Sequence, residues 1–287
     1  MKIITHRGLN ASKENYFLES SLEAFTDQLK NGFGLEFDLQ ITKDGKIVVI
    51  HDSSLERISN GKDNRKISDI FLDEIVKMNF NGSHLTSLDK LIELINKIQA
   101  TETISAIHLK HNIQNKECLD IILSYLEKVD NEKIIIFDVT LKTATYLKEK
   151  NSKLHLAPSI AHPYDIERYN IFVGGTLMPI ETALQNKVIF DWVWLDEWDR
   201  IDKNNGIKKL YTKELFKTIH NKGIKIALVT PELHASSPSL LGSEKHIDAT
   251  DKKRLSDRIE EIIELKPDII CTDYPDEINN KIIYKTI

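Results

Sequence analysis

Two histidines and two carboxylates near the start of the chain have the types and spacing of a reaction centre. Thr5-His6-Arg7-Gly8 is followed by Gly34-Leu35-Glu36-Phe37-Asp38 and then by Ile47-Val48-Val49-Ile50-His51-Asp52, so the polar groups stand at the ends of short apolar runs. Two imidazoles can divide the work of displacement at phosphorus, one taking the nucleophile's proton and the other protonating the leaving alkoxide. Carboxylates in the same site can hold a metal that neutralises phosphoryl oxygens. The set therefore describes a metal-assisted acid/base centre able to break a phosphodiester. Strand side chains alternate between faces, which puts Glu36 and Asp38 on one side and Leu35, Phe37 and Leu39 on the other. Two carboxylates on one inward face repel unless a cation lies between them, and oxygen ligands suit Mg²⁺, Ca²⁺ or Mn²⁺. A solvated pair on an edge strand is the competing reading, and the apolar flanks speak against it. Arg7 can grip phosphoryl oxygens as a fork, with Gly8 allowing close backbone approach. Asp52 either orients His51 or caps the turn.

These groups need a scaffold that gathers strand ends. Apolar, β-rich runs fall at 2–6, 34–39, 46–51, 104–109, 132–138, 153–158, 190–195, 224–229 and 268–272, and amphipathic helical stretches at 21–30, 87–98, 118–129, 141–150, 212–221 and 249–265. Alternating βα units point to an α/β fold, a (β/α)8 TIM barrel. Nine strands is one too many for that ring, and Thr42-Lys43-Asp44-Gly45 accounts for the surplus as the turn of an antiparallel hairpin arm ending at His51. The chain reads as one domain, 1–287, with 52–103 as an insertion of polar loops and helix above the barrel. A second insertion is expected at 231–250. A doubly wound open sheet is the alternative, but the sequence has no G-x-G-x-x-G or P-loop turn.

Composition bounds the partners. The 287 residues are 41% hydrophobic, enough for a sizeable core, and the formal net charge of −5 argues against a general nucleic-acid or membrane-surface binder. A small anionic substrate held by a few local cations fits. No apolar run reaches membrane-spanning length, and Lys2-Ile3-Ile4 reads as a strand rather than a signal segment. The two cysteines, Cys118 and Cys271, follow no metal or redox spacing and suit reduced, buried thiols in the cytoplasm. The oligomeric state has no signature in the sequence.

Taken in order, these motifs resemble the glycerophosphodiester phosphodiesterase family of phosphatidylinositol-phospholipase-C-like TIM barrels. His6-Arg7-Gly8 is followed by Glu19-Ser20-Ser21-Leu22-Glu23-Ala24-Phe25, similar to the family's E-N-T-x-x-A-F helix start, and then by Glu36-Phe37-Asp38, Thr42-Lys43-Asp44-Gly45, His51-Asp52 and Leu55-Glu56-Arg57. Thr86-Ser87-Leu88 loosely resembles P-T-L, and Pro267-Asp268-Ile269-Ile270-Cys271-Thr272-Asp273-Tyr274-Pro275 resembles the family's closing strand. The resemblance implies metal-dependent hydrolysis of a glycerophosphodiester or related small phosphodiester. His6 and His51 would be the acid/base pair, Glu36 and Asp38 metal ligands, and Arg7 and Lys110 phosphate-binding groups.

One departure bears on the metal. The family's third ligand is usually a Glu two residues before a Lys, and Ile107-His108-Leu109-Lys110 puts a histidine there. His108 as a ligand shifts the preference toward Mn²⁺, Zn²⁺ or Co²⁺; the other outcomes are a ligand recruited elsewhere, such as Glu232, or lost catalysis. A silent ligand-binding barrel or a lyase forming a cyclic phosphate are the alternative functions. Ser20 replaces the family's usual Asn. The cluster Asp191-Trp192-Val193-Trp194-Leu195-Asp196-Glu197-Trp198-Asp199-Arg200 could recognise a cationic or polyol alcohol, but the favoured expectation is core tryptophans followed by a solvated acidic turn. Of the remaining histidines, His111 and His234 stand near predicted strand ends.

Overall fold

The computed structural model describes residues 1–204, 206–233 and 246–286. Among the described residues there are eleven strands: β1 (Lys2–His6), β2 (Gly34–Ile41), β3 (Ile47–Val49), β4 (Thr86–Ser87), β5 (Ser105–His108), β6 (Ile134–Phe137), β7 (His155–Ala157), β8 (Ser159–Ile160), β9 (Trp192–Leu195), β10 (Lys225–Val229) and β11 (Ile269–Thr272). Nine of them line up in the order β7-β6-β5-β2-β1-β11-β10-β9-β8, every neighbouring pair parallel. β7 and β8 are two pieces of one stave divided at Pro158, which lacks the N–H a continuous ladder needs. The Pro158 carbonyl still accepts from the Trp194 amide at 3.0 Å, so the ring closes through 155–160 with eight staves. This is the TIM barrel expected from the sequence.

The surplus run forms the hairpin arm. β3 pairs antiparallel with the end of β2, Leu39 opposite Val49 and Ile41 opposite Ile47, and β4 extends the arm from its other side. Thr42 Oγ1 donates to Asp44 Oδ1 at 2.7 Å, and Gly45 takes the left-handed φ of 70° that the turn requires. Residues of the following loops, Leu55, Ile58, Ile67, Ile70 and Ile75 among them, build a small core of their own against Val48 and Ile50. The helix Leu88–Ile98 then buries Leu88, Leu91, Ile92 and Ile95 in the main cluster between barrel and outer helices.

Strand parity divides the barrel's two cores. Outward-facing residues such as Leu35, Phe37, Ile107 and Val193 meet the helices, while Ile4, Ala106, Ile135, Trp192, Ala227 and Ile269 fill the interior. Continuing that inward parity by one step to the C-terminal rim gives His6, Asp38, His108, Phe137 and Trp194. The sequence therefore sets the rim by alternation alone.

Three helices were not foreseen: Pro163–Val173, Ile180–Gln185 and Pro275–Thr286. The first has no apolar stripe, since only Asp165 and Tyr169 are buried on it, and its existence depends on end signals instead. His162 caps it, Pro163 occupies the first turn and Gly174 ends it at φ 77°. No helix among the described residues is long and apolar enough to cross a membrane. Residues 234–245 of the expected second insertion, and His234 with them, lie outside the described residues.

Gly34 begins β2 where its neighbours crowd closest: a Cβ there would stand 1.9 Å from the Ile104 carbonyl oxygen and 2.7 Å from Ile4 Cγ2. Gly34→Ala should force the two strands apart and cost about 1–3 kcal/mol, the range for overpacking, read as a lower denaturation midpoint in urea with unchanged slope.

Candidate active site

The ends of β1, β2, β3 and β5 carry the predicted residues into one cavity of about 910 Å³, lined by His6, Arg7, Glu36, Asp38, His51, His108 and Lys110. Register does the positioning. His6 lies opposite Glu36, Asp38 opposite His108, and His108 opposite Phe137. Glu36, Asp38 and His108 each offer an atom within 4.8 Å of the others, a grouping able to hold a metal ion. Asp38 Oδ2 is buried and accepts no hydrogen bond among the described residues, the Arg7 guanidinium lying 3.4 Å away.

Each imidazole of the expected acid/base pair is held through Nδ1 by a carboxylate. His6 Nδ1 lies 2.9 Å from Asp273 Oδ1, just beyond β11, and His51 Nδ1 lies 2.7 Å from Asp52 Oδ1. Of the two readings of Asp52, orientation of His51 is the one the geometry matches. The His51 backbone is fixed as well, its carbonyl accepting from Lys110 Nζ at 2.6 Å and Gln40 Nε2 at 3.0 Å. Arg57 donates to Asp52 at 2.6 Å and to Glu19 at 2.5 Å, and Glu19 accepts from Arg7 at 3.3 Å. One polar chain thus runs from the His51 side of the cavity to Arg7. Arg7 sits at φ 54° directly after β1, which turns its guanidinium inward until Nε is 3.4 Å from Asp38 Oδ2.

Several groups here were not picked out by sequence reasoning. Asp138, at φ 64° just past β6, places Oδ2 3.3 Å from His108 Nε2 while His108 Nδ1 faces Asp38 Oδ1 at 2.8 Å. Nothing in residues 137–139 announces it. Asp273, Glu19 and Arg57 stood within quoted motifs, without a role. Glu232, considered as a substitute ligand, is instead engaged by the hydroxyls of Thr230 and Thr272 and the Asp273 amide at 2.5, 2.6 and 3.1 Å. The solvated acidic turn expected after the tryptophans is overturned: Glu197 and Asp199 are buried, Glu197 accepting from Arg258 at 2.5 Å and Asp199 paired with Lys208. Buried carboxylates need such partners, and with the odd positions drawn inward, Trp194, Asp196 and Trp198 line the cavity. Trp192 and Trp194 both belong to the barrel's interior cluster and Trp198 is buried as well, so the tryptophans are core residues as expected, and His111 joins the cavity rim.

The profile of the glycerophosphoryl diester phosphodiesterase family matches residues 6–277, nearly the whole chain. The chain belongs to this family. A glycerophosphodiester phosphodiesterase of Caldanaerobacter subterraneus subsp. tengcongensis is 34% identical over 102 residues, 32% of this chain and 40% of that protein. The match thus spans well under half of that relative's length. Among solved structures, a putative glycerophosphodiester phosphodiesterase from Galdieria sulphuraria superposes with a TM-score of 0.69 at 20% identity, covering 97% of this chain and 96% of its own. An Oleispira antarctica phosphodiesterase, solved with the product sn-glycerol-3-phosphate, gives 0.65 at 14% identity over 98% of this chain and 96% of its own. At those identities the likeness is one of fold.

Electrostatics in this family member follow from burying two carboxylates together. Burial and the neighbouring Asp38 charge push Glu36 above the usual carboxylate range. Asp38 goes the other way: burial opposes its ionisation, but Lys110, His51, His108 and Arg7 hold it well below that range. Burial, with Arg7 and Lys110 close by, pushes His51 down to about 4 against the pull of Asp38 and Asp52. For His108, burial alone would lower the value, and the hydrogen bonds to Asp138 and Asp38 raise it to about 9.

Because the folded pKa of His108 lies above its ordinary 6.5, the stability that its protonation contributes is full below about 6.5 and is lost as pH rises through 9. Metal-free protein should therefore show a falling denaturation midpoint between pH 6.5 and 9, and His108→Gln should flatten that slope. A metal taking Nδ1 must displace a proton, so metal affinity measured by calorimetry should rise by up to about tenfold per pH unit over the same window.

Proposed function

We propose that this protein is a metal-dependent phosphodiesterase that hydrolyses a glycerophosphodiester or related small phosphodiester to a phosphomonoester and an alcohol. The observation that carries the reading is the convergence in one cavity of two imidazoles, each with Nδ1 on a carboxylate, and the Glu36, Asp38 and His108 cluster. Family membership and the names of the relatives above support the same reaction class.

In this reading Glu36, Asp38 and His108 hold the divalent ion, which when bound neutralises charge on the phosphoryl oxygens. The donor set suits Mg²⁺, Ca²⁺ or Mn²⁺ through its oxygens, and the imidazole extends it to Zn²⁺ or Co²⁺. Lys110 and Arg7 face the phosphoryl group; Lys110 gives a compact charge near Asp38 Oδ1 at 3.3 Å, and Arg7 a guanidinium partly engaged by Glu19. His6 and His51 present their free Nε2 edges, Nδ1 being taken by Asp273 and Asp52. One imidazole accepts a proton as water bonds to phosphorus, and the other protonates the alkoxide as its P–O bond breaks. The carboxylate partners fix ring orientation and stabilise the imidazolium formed in the step. Two free cysteines, Cys118 and Cys271, suit the reducing cytoplasm.

Purified protein supplied in turn with Mg²⁺, Ca²⁺, Mn²⁺, Zn²⁺ and Co²⁺ should release a phosphomonoester from a glycerophosphodiester panel, followed by ³¹P NMR, and chelation should stop it. His6→Ala and His51→Ala should each lower kcat by about 10²–10⁴-fold. Full activity in either variant would contradict the assignment, and a persistent cyclic phosphate would make the reaction a transfer rather than a hydrolysis.

A further inference from the structure

A second cavity, of about 380 Å³, opens at the end of the barrel opposite the candidate active site. Lys2, Lys225, Lys266 and Asp268 line it together with the indole of Trp192. Strand alternation explains why they meet. Ile4 on β1, Trp194 on β9 and Ala227 on β10 fill the barrel interior, and one step of the same parity toward the N-terminal ends of those strands gives Lys2, Trp192 and Lys225. β1, β11, β10 and β9 are consecutive staves, with Lys2 opposite Ile269 and Lys225 opposite Trp192, so both lysines stand at the lowest layer of the interior. Lys266 joins them from the loop that leads into β11.

Charge at this end is unbalanced. Among the described residues, Lys2, Lys225 and Lys266 form no ion pair, and the Lys225 ammonium lies over the Trp192 ring, 5.1 Å from its centre. Asp268, the carboxylate among the described lining residues, is engaged by the Ile226 amide at 2.8 Å and by His220 Nε2 at 3.0 Å. Burial and the neighbouring Lys225 charge hold Lys2 below the usual lysine range, against the pull of Asp268, Glu102 and Glu132. Three ammonium groups facing one occupied carboxylate repel one another, the mirror of the carboxylate pair at the other rim. A further donor is present. Trp192 is 2% exposed, and its indole N–H is buried without an acceptor among the described residues, whereas buried polar groups are ordinarily hydrogen-bonded. A ligand that carries two negative charges and several acceptor oxygens answers the excess charge and the missing acceptor together, and a phosphoryl dianion has both.

We propose that the base of the barrel is a second anion site, in which Lys2, Lys225 and Lys266 hold a dianionic phosphoryl group against Trp192. Free phosphate and a phosphomonoester share this chemistry, and the second is what the proposed reaction releases. The site goes beyond the phosphodiesterase reading and does not depend on it, since binding at the base is measured without turnover.

The indole N–H signals of the three tryptophans in ¹⁵N-labelled full-length protein distinguish the two ends of the barrel, once Trp192→Phe and Trp194→Phe have assigned them. At pH 8, where a phosphomonoester is dianionic, inorganic phosphate and glycerol 3-phosphate are titrated separately, with sodium chloride at equal ionic strength as the reference. The Trp192 signal should move saturably and beyond the chloride effect. Lys225→Gln and Lys2→Gln should each weaken that response about tenfold, the loss of one charge-assisted hydrogen bond, while the remaining indole signals stay in place and show that each variant is folded. A response to either ligand supports the site, and which ligand acts identifies the occupant. A Trp192 signal that stays fixed while Trp194 moves, that moves equally with chloride, or whose response survives both substitutions would overturn it. Failure of the protein to hydrolyse any diester, with the Trp192 response intact, would overturn the proposed reaction and leave this site standing.

Discussion

Glu36 and Asp38 are both buried, two residues apart on one face of one strand, and their mutual repulsion is the constraint around which the rest of the site is arranged. In a low-dielectric interior such a pair cannot remain doubly ionised without compensation. Arg7, Lys110 and the imidazole of His108 all approach Asp38, at 3.4, 3.3 and 2.8 Å, and hold its charge. Glu36 receives less help, the Arg7 amide at 3.3 Å being its hydrogen-bond donor, and its carboxyl is accordingly pushed up. The asymmetry between two carboxylates of nearly equal burial is the electrostatic trace of a place where positive charge is still needed.

The barrel makes this arrangement inevitable once the register is set. A one-residue slip of β2 against β1 would turn Glu36 and Asp38 into the apolar layer and bring Phe37 to the mouth. Leu35, Phe37 and Leu39, each with 1% exposure or less, hold the register by filling the space beneath the helices. Gly34 helps from the other end, because only a residue without a Cβ lets β2 pass so near Ile104. Core packing and site chemistry are therefore read from the same alternation, on β2 the odd positions supplying the first and the even positions the second.

That alternation is why so much of the site was legible in the sequence. His6, Glu36, Asp38, His51 and His108 stand at the ends of apolar runs whose period is short and local, so their shared location follows from strand ends meeting at one rim. Asp138 and Asp273 were harder because their roles depend on rings 30 and 267 residues away. The helix Pro163–Val173 escaped notice because its buried face is polar: Asp165 pairs with Lys208 and Arg168. The same buried ion network misdirected the reading of the tryptophan cluster. Acidic residues in a turn suggest solvent until their partners, Lys208 and Arg258, arrive from later in the chain, and only then do the intervening tryptophans face the cavity.

The histidine at position 108 is best understood together with Asp138. Where the family usually places a carboxylate, this chain places an imidazole, which removes one negative charge from the ring of groups around the cluster. Asp138 returns a negative charge one bond length of hydrogen bonding further out, its oxygen 3.3 Å from Nε2. With Nε2–H directed at that carboxylate, Nδ1 is the nitrogen left facing Asp38 and the cluster, and a carboxylate behind an imidazole raises its basicity as a ligand. The dyad restores a negative charge beside the cluster and ties the site to protonation, because the hydrogen bonds to Asp138 and Asp38 raise His108 to about 9. Asp138 is held at a left-handed φ of 64°, a conformation that Gly, Asn and Asp adopt more readily than other residues.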